Sequence, residues 1–195
     1  MNKQSLAKQN RIDSILLSLK KLDYLTRSQI QQLHDLKSVR NANRILKDMS
    51  QYLSSFTVGV EHVYYLNKEG RERVRSDVER RKTANIKHFI LRNQLYIYLK
   101  CPETWKNEVK MKAGETYIVC DAKFMMNNIP AIVEVDCSQT MAKNEEKIEK
   151  YRKIKELTGQ PFNLIWITEL ESRRESLREL MEGLTGRVYT LNDIR

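Results

Sequence analysis

Apolar residues in the first third of the chain recur at helical spacing. Ile12, Ile15, Leu16, Leu19 and Leu22 form one stripe between Arg11 and Leu25, as in an amphipathic helix. Residues 26–29 read TRSQ, a capping box in which Gln29 reaches back to the Thr26 amide. A short second helix follows, with Ile30 and Leu33 inward. Lys37-Ser38 makes a turn, and Ser38 is an N-cap for a third helix. The stripe of that helix is Val39, Ala42, Ile45, Leu46, Met49 and Leu53. The pattern then changes to two β-like runs, Ser54–Val58 and Val60–Leu66, joined around Gly59. Asn67 caps a further, highly charged helix over residues 67–82, whose second half reads as a solvated linker.

The remainder predicts a different layout. Residues 83–100 carry Ile86, Phe89, Ile90, Asn93, Leu95, Ile97 and Tyr98 on a longer helix that Pro102 ends. His88 has no second histidine nearby, so its role is structural. Residues 105–112, 117–124 and 129–135 read as successive strands, with Met126-Asn127-Asn128 as the last hairpin turn. A charged helix, Lys143–Leu157, precedes the unbroken apolar run Phe162–Thr168, a strand buried on both faces. A helix over Leu170–Leu184 and a strand over Arg187–Leu191 complete the order α-β-β-β-α-β-α-β. The expected fold class is α+β, in two domains: residues 1–82 a winged helix-turn-helix, residues 83–195 a mixed α/β sandwich.

Composition limits what these domains do. Hydrophobic residues make up 41% and charged residues 31%, which suits two modest cores with solvated surfaces. No apolar run approaches the roughly 20 residues of a membrane span. The N-terminal segment lacks an apolar signal core, so a cytoplasmic protein is expected. Cys101, Cys120 and Cys137 show no metal-ligand spacing and read as free thiols. The net charge of +10 points to a polyanionic partner. Residues 1–82 hold 17 Lys and Arg against 9 Asp and Glu, while residues 83–195 hold 18 against 16. The electrostatic footprint is therefore mostly N-terminal.

That footprint coincides with the third helix. Arg40, Arg44, Lys47 and Gln51 fall opposite its apolar stripe, with Asn43 beside them and Ser38 and Asn41 at its start. Arg and Asn suit G and A edges in the major groove. Double-stranded DNA is the expected partner of these seven residues, and a homodimer on a palindrome is the expected assembly. The alternative is a small helical bundle whose cations merely solvate a face.

The second domain carries strand-end acids. Asp121 ends YIVCD, and Glu134 and Asp136 flank Val135 at the end of the next strand. Like charges so placed raise each other's pKa and call for a metal ion or basic partners. The strand order, with an acid on one hairpin strand and E-x-acid on the next, resembles the restriction-endonuclease-like PD-(D/E)xK core. That resemblance implies Asp121 as the first and Glu134 as the second Mg²⁺-holding acid, with Glu108 as an accessory acid; Asp136 joins them as a candidate catalytic residue and metal ligand because three acids together could bind the ion. The chain departs from the pattern at the lysine slot, which holds Asp136, and before the first acid, where Cys120 replaces proline. Lys143 or Lys147 would have to supply the lysine from the following helix. Lys147 and Tyr151 share one face of that helix.

Trp105 and Glu108, Asp121-Ala122, Glu134-Val135-Asp136, Lys147 and Tyr151, behind a winged helix and a connecting helix, resemble the replication-relaxation family of plasmids and mobile elements. The resemblance spans residues 12–168. It implies a role in plasmid replication or DNA relaxation, alongside replication or relaxation proteins of the same element. Three readings follow. The first is a non-catalytic DNA-binding protein without a cofactor, in which the acids pair with Lys123, Lys143 or Lys147. The second is a transcription regulator bound to operator DNA as a dimer. The third is an Mg²⁺-dependent nuclease or nickase.

Overall fold

The computed structural model describes residues 3–137 and 139–194 and is a mixed α+β structure. It divides into two compact units, Met1–Asn93 and Gln94–Arg195.

In the first unit, α1 (Lys3–Leu22) buries Ile15, Leu16, Leu19 and Leu22. It starts well before Arg11, because its first turns are exposed and leave no apolar stripe to read. Asp23 adopts φ 70° and ends the helix, so Leu25–Thr26 becomes a short strand, β1, rather than a last helical turn. The capping box forms as expected at α2 (Arg27–Leu33): Gln29 N donates to Thr26 Oγ1 and Thr26 N to Gln29 Oε1, each at 3.1 Å. Ser38 caps α3 (Val39–Asp48), which buries Ala42, Ile45 and Leu46. Val39 does not join the buried stripe. It is the first helical residue and is 51% exposed. Leu53 likewise leaves the helix and opens β2 (Leu53–Val58), which pairs antiparallel with β3 (Glu61–Leu66). β1 pairs with the other side of β3. Gly59 turns the hairpin at φ 58°, and Val60 beside it is wholly exposed.

α4 (Lys68–Val74) is shorter than the charge pattern suggested. Arg75 turns left-handed at φ 53°, and Lys20 Nζ donates to the Val74 and Arg75 carbonyls at 2.9 and 2.8 Å, satisfying the helix end. The segment beyond, expected as a solvated linker, is fastened down. Arg80 pairs with Asp23 at 2.8 Å, and Tyr24 OH donates to Arg81 O at 2.6 Å. α5 (Ile86–Tyr98) then buries Arg92 and Asn93. Arg92 Nη2 donates to Leu22 O and Asp23 Oδ2 at 3.2 and 3.1 Å, and Asn93 Nδ2 to Leu22 O and Tyr24 O at 2.9 and 2.6 Å. These bonds satisfy the carbonyls exposed where α1 stops.

The second unit is a five-stranded sheet in the order β4-β5-β6-β7-β8. Its strands are β4 (Lys106–Ala113), β5 (Thr116–Met126), β6 (Ile129–Asp136), β7 (Asn163–Thr168) and β8 (Gly186–Thr190). The first three are an antiparallel meander, and β6, β7 and β8 are parallel. Asn127 and Asn128, both at positive φ, make the two-residue β5–β6 turn. α6 (Met141–Thr158), capped by Thr140, connects β6 to β7. A 3-10 turn (Glu171–Arg173) and α7 (Arg174–Leu180) connect β7 to β8. This helix falls short of the expected Leu170–Leu184, with Gly183 at φ 80° just past its end. Ile118, Cys120, Ile132, Ile148, Tyr151 and Trp166 belong to one core cluster that joins α6 to the sheet.

Candidate functional site

Two sets of side chains carry chemistry, one in each unit. In the first, α3 presents Arg40, Asn43, Arg44 and Lys47 at i, i+3, i+4 and i+7, all exposed. Ser38 and Asn41 serve the helix start instead. Ser38 Oγ accepts from Asn41 N at 3.2 Å, and Asn41 Nδ2 donates to Leu36 O at 2.9 Å. Asn41 Oδ1 accepts from Arg44 Nη2 at 2.8 Å, which sets the lean of that guanidinium. Gln51 lies in the turn after α3, and its carbonyl accepts from Asn67 Nδ2 at 3.0 Å.

In the second unit, β5 and β6 pair from the turn as far as Ala122 and Val133 and then part. Asp121 Oδ2 accepts from Val135 N at 2.7 Å, in the place of a ladder bond. Glu134 and Asp136 point from β6 into the protein and are wholly buried. Lys147 Nζ stands 2.5 Å from Glu134 Oε2, and Tyr151 OH donates to Glu134 Oε1. Both donors come from α6, one helical turn apart. The Trp166 ring, opposite Glu134 in the β6–β7 register, lies 5.9 Å from the Lys147 ammonium. Arg173 clamps Asp136 with Nε at 2.5 Å and Nη2 at 3.1 Å, and its Nη2 also donates to Gln139 O at 2.7 Å. Asn144 Oδ1 and Trp166 Nε1 are buried without a hydrogen-bond partner.

Burial, then the neighbouring Asp121 charge, pushes the Glu134 carboxyl up to about 7, against the pull of Lys147 and Tyr151. Burial alone would lower the Lys147 pKa, but the Glu134, Asp121 and Asp136 carboxylates outweigh it, so the ammonium is held above its ordinary value. Burial and then Glu134 raise the Tyr151 phenol, which stays a neutral donor. Burial and Glu134 also push the Cys120 thiol up to about 12, too high for a nucleophile at neutral pH.

The three residues expected as Mg²⁺ ligands each meet a partner from within the chain. A hard cation needs carboxylate oxygens that converge on it with no competing cation between them. Glu134 faces an ammonium and a phenol, Asp136 faces a guanidinium, and Asp121 takes a backbone amide. Among the described residues no three His, Cys, Asp or Glu side chains are grouped to hold a metal. As arranged, Glu134 and Asp136 sit in ion pairs and Asp121 on a backbone amide. Of the basic partners expected for them, Lys147 is in place. Lys143 is exposed, and neither it nor Lys123 pairs with any of the three. Glu108 is exposed, with a left-handed φ of 51° inside β4.

The replication-relaxation family model matches residues 16–163. The chain belongs to the replication-relaxation family. The match takes in α3, the three acids, Lys147 and Tyr151, while Arg173 lies beyond it. No curated protein matches. Among solved structures, the crystal structure of protein VC1899 from Vibrio cholerae is similar, with 14% identity and a TM-score of 0.32. The similarity covers 93% of this chain and 47% of that one, so the chain spans about half its length. No helix among the described residues is long and apolar enough to cross a membrane.

Arg173, which clamps Asp136, is one residue of the cluster that sequence reasoning missed. It lies 37 residues from Asp136 in a charged stretch, and nothing local marks it. Asn144 and Trp166 were missed too, although a Trp inside an unbroken apolar strand marks a side chain whose indole N–H must be buried.

Proposed function

We propose that this replication-relaxation chain binds double-stranded DNA through the outer face of α3. The first unit acts as a winged-helix module, and the second is a nuclease-like fold that does not cleave. The observation that carries this reading is the single exposed stripe of Arg40, Asn43, Arg44 and Lys47. It lies on the third helix, immediately before the β2–β3 hairpin. In a helix-turn-helix this helix enters the major groove, where Arg and Asn make bidentate contacts with G and A. The non-catalytic assignment rests on Arg173, which occupies Asp136 at the lysine slot; Lys147 on Glu134 stands where the nuclease reading would want its lysine. One such module covers one half-site, so a homodimer on a palindrome is expected. Its partners are DNA and replication or relaxation proteins of the same element.

Duplex selected from a random library, titrated with the full chain, tests the binding. Arg40→Ala and Arg44→Ala should each weaken it about tenfold, at roughly 1–3 kcal/mol for a base contact. Affinity should fall steeply with salt. Unchanged affinity in both variants would move the interface off α3. For the second part, supercoiled plasmid is incubated with the chain and Mg²⁺ or Mn²⁺. Nicking that Glu134→Ala abolishes would overturn the non-catalytic reading.

A further inference from the structure

β5 is paired on both sides over only part of its length. Residues 116–120 pair with residues 109–113 of β4, but β6 meets β5 only from Ala122 to Met126. We propose that the free edge of β5 at residues 116–120 docks antiparallel onto the same edge of a second copy of this chain, so that two five-stranded sheets continue across a two-fold axis. This deepens the homodimer reading above and rests on it, because the half-sites of a palindrome are related by an axis of the same kind.

Three observations carry it. The first is the edge itself. Unpaired strand N–H and C=O groups are a template for another chain, and edges are ordinarily blunted by charge, proline, bulges or shortness. The outer strand β4 is blunted in this way. Lys106, Glu108, Lys110 and Lys112 lie along it, and Glu108 interrupts its ladder at φ 51°. β8, on the far side of the sheet, is five residues long and opens with Gly186 and Arg187. Residues 116–120 read TYIVC, without charge, proline or glycine, and are rich in the types that favour strand pairing. Tyr117 and Val119 are exposed there, while Ile118 and Cys120 are held in the core. The second observation is room. A groove of about 1190 Å³ lies between residues 115–119 and the outer face of α6, and a paired strand needs only about 4.8 Å from its neighbour. The third is charge. The α6 wall of the groove carries Glu145 and Glu146 near the helix start and Lys150 and Lys153 one to two turns on. All four are exposed, and no ion pair among the described residues takes them up. α6 runs back alongside β5, with Leu157 near Gly114 and Lys147 within reach of the Asp121 charge. A two-fold axis therefore turns the partner's α6 the other way and sets the acidic start of one helix toward the basic middle of the other. A wall of both signs suits a copy of itself and does not suit a nucleic acid.

The test uses the full chain without nucleic acid, in sedimentation equilibrium at tens of micromolar and below. The wild type should be a dimer, weakened by salt. Val119→Lys, at an exposed position, should raise the dimer dissociation constant about a hundredfold, because like charges then meet across the axis. Glu145→Lys/Glu146→Lys and Lys150→Glu/Lys153→Glu should each be monomeric alone and dimerise when mixed. A monomeric wild type would overturn the inference, as would a dimer that Val119→Lys leaves intact or charge variants that fail to pair on mixing. If circular dichroism shows Val119→Lys to be unfolded, the charge variants decide on the same terms. DNA binding by Arg40→Ala/Arg44→Ala reports on α3 separately. A wild-type dimer with unchanged DNA affinity in that variant would sink the α3 reading alone, and a monomer whose α3 variant loses DNA would sink this inference alone.

Discussion

In the first unit Arg40, Arg44 and Lys47 stand exposed on α3, whereas in the second Lys147 and Arg173 are turned onto carboxylates that solvent does not reach. The same residue types therefore do opposite things. On α3 the cations remain available to an external polyanion, and their hydration is given up only on binding. Behind β6 they are used up in folding, because Glu134 and Asp136 cannot be buried without them. The near-neutral balance of residues 83–195 is the sum of such internal pairs and of mixed-sign surface. Over residues 1–82 cations outnumber acids 17 to 9, so acids of the same segment cannot neutralise them all. Net charge is informative about partners only after the pairs have been subtracted.

The contrast can be broken at its buried end first. Lys147→Ala leaves the Glu134 carboxylate buried with a phenol as its remaining partner, and urea unfolding should report a loss of about 3–5 kcal/mol. A loss below about 1 kcal/mol would mean that Glu134 is buried as the neutral acid or that water reaches it. Arg40→Ala/Arg44→Ala is the counterpart at the exposed end. It should change urea stability by no more than about 0.5 kcal/mol. Duplex affinity should nevertheless fall and its dependence on salt should flatten, by about 0.9 in the log–log slope for each phosphate that is no longer neutralised.

A third measurement sharpens the buried side through pH. The Glu134 carboxyl rises to about 7 from an ordinary 4.5, so the folded chain holds this proton more tightly than the unfolded chain. Its contribution to stability is full below about pH 4.5 and is lost as pH rises toward about 7. Lys147, also raised, contributes stability below 10.5 and is constant across this window. Between pH 5 and 8 the urea midpoint of the wild type should fall relative to that of Glu134→Gln, and parallel profiles would refute the shift. The smallest effect is expected at Ser38. Ser38→Ala removes the α3 cap at a cost of about 1 kcal/mol, and should weaken DNA binding by loosening the start of the helix.

The first unit was legible wherever a signal was local. The Thr26–Gln29 capping box, the Ser38 cap and the Gly59 turn each depend on residues within a few positions of one another. Helix ends that depend on distant partners were not legible. α4 stops at Val74 with Lys20, 54 residues earlier, on its last carbonyls, and nothing near Val74 announces that. In the second unit the succession of elements and the acids at the end of β6 could be read directly, whereas Asp121 was read as closing its strand and lies midway along β5. That Lys147 and Tyr151 share one face toward the strand ends followed from their i, i+4 spacing; that both meet Glu134, and that Lys147 rather than Lys123 or Lys143 is its cation, did not. That Asp136 would be clamped by Arg173 did not follow, because that pairing exists only once β7 lies beside β6.

By itself the sequence determined the alternation of helices and strands, the basic stripe on α3 and two acids at the end of β6; Asp121, read as closing its strand, lies midway along β5. Each of these depends on short-range spacing, which the backbone turns into faces and ends. The tertiary structure decided what the acids are for. Whether a carboxylate meets a metal, water or an internal cation depends on which distant side chain arrives within a few ångströms of it. Here the packing of α6 and of the turn after β7 brought Lys147 and Arg173 to Glu134 and Asp136.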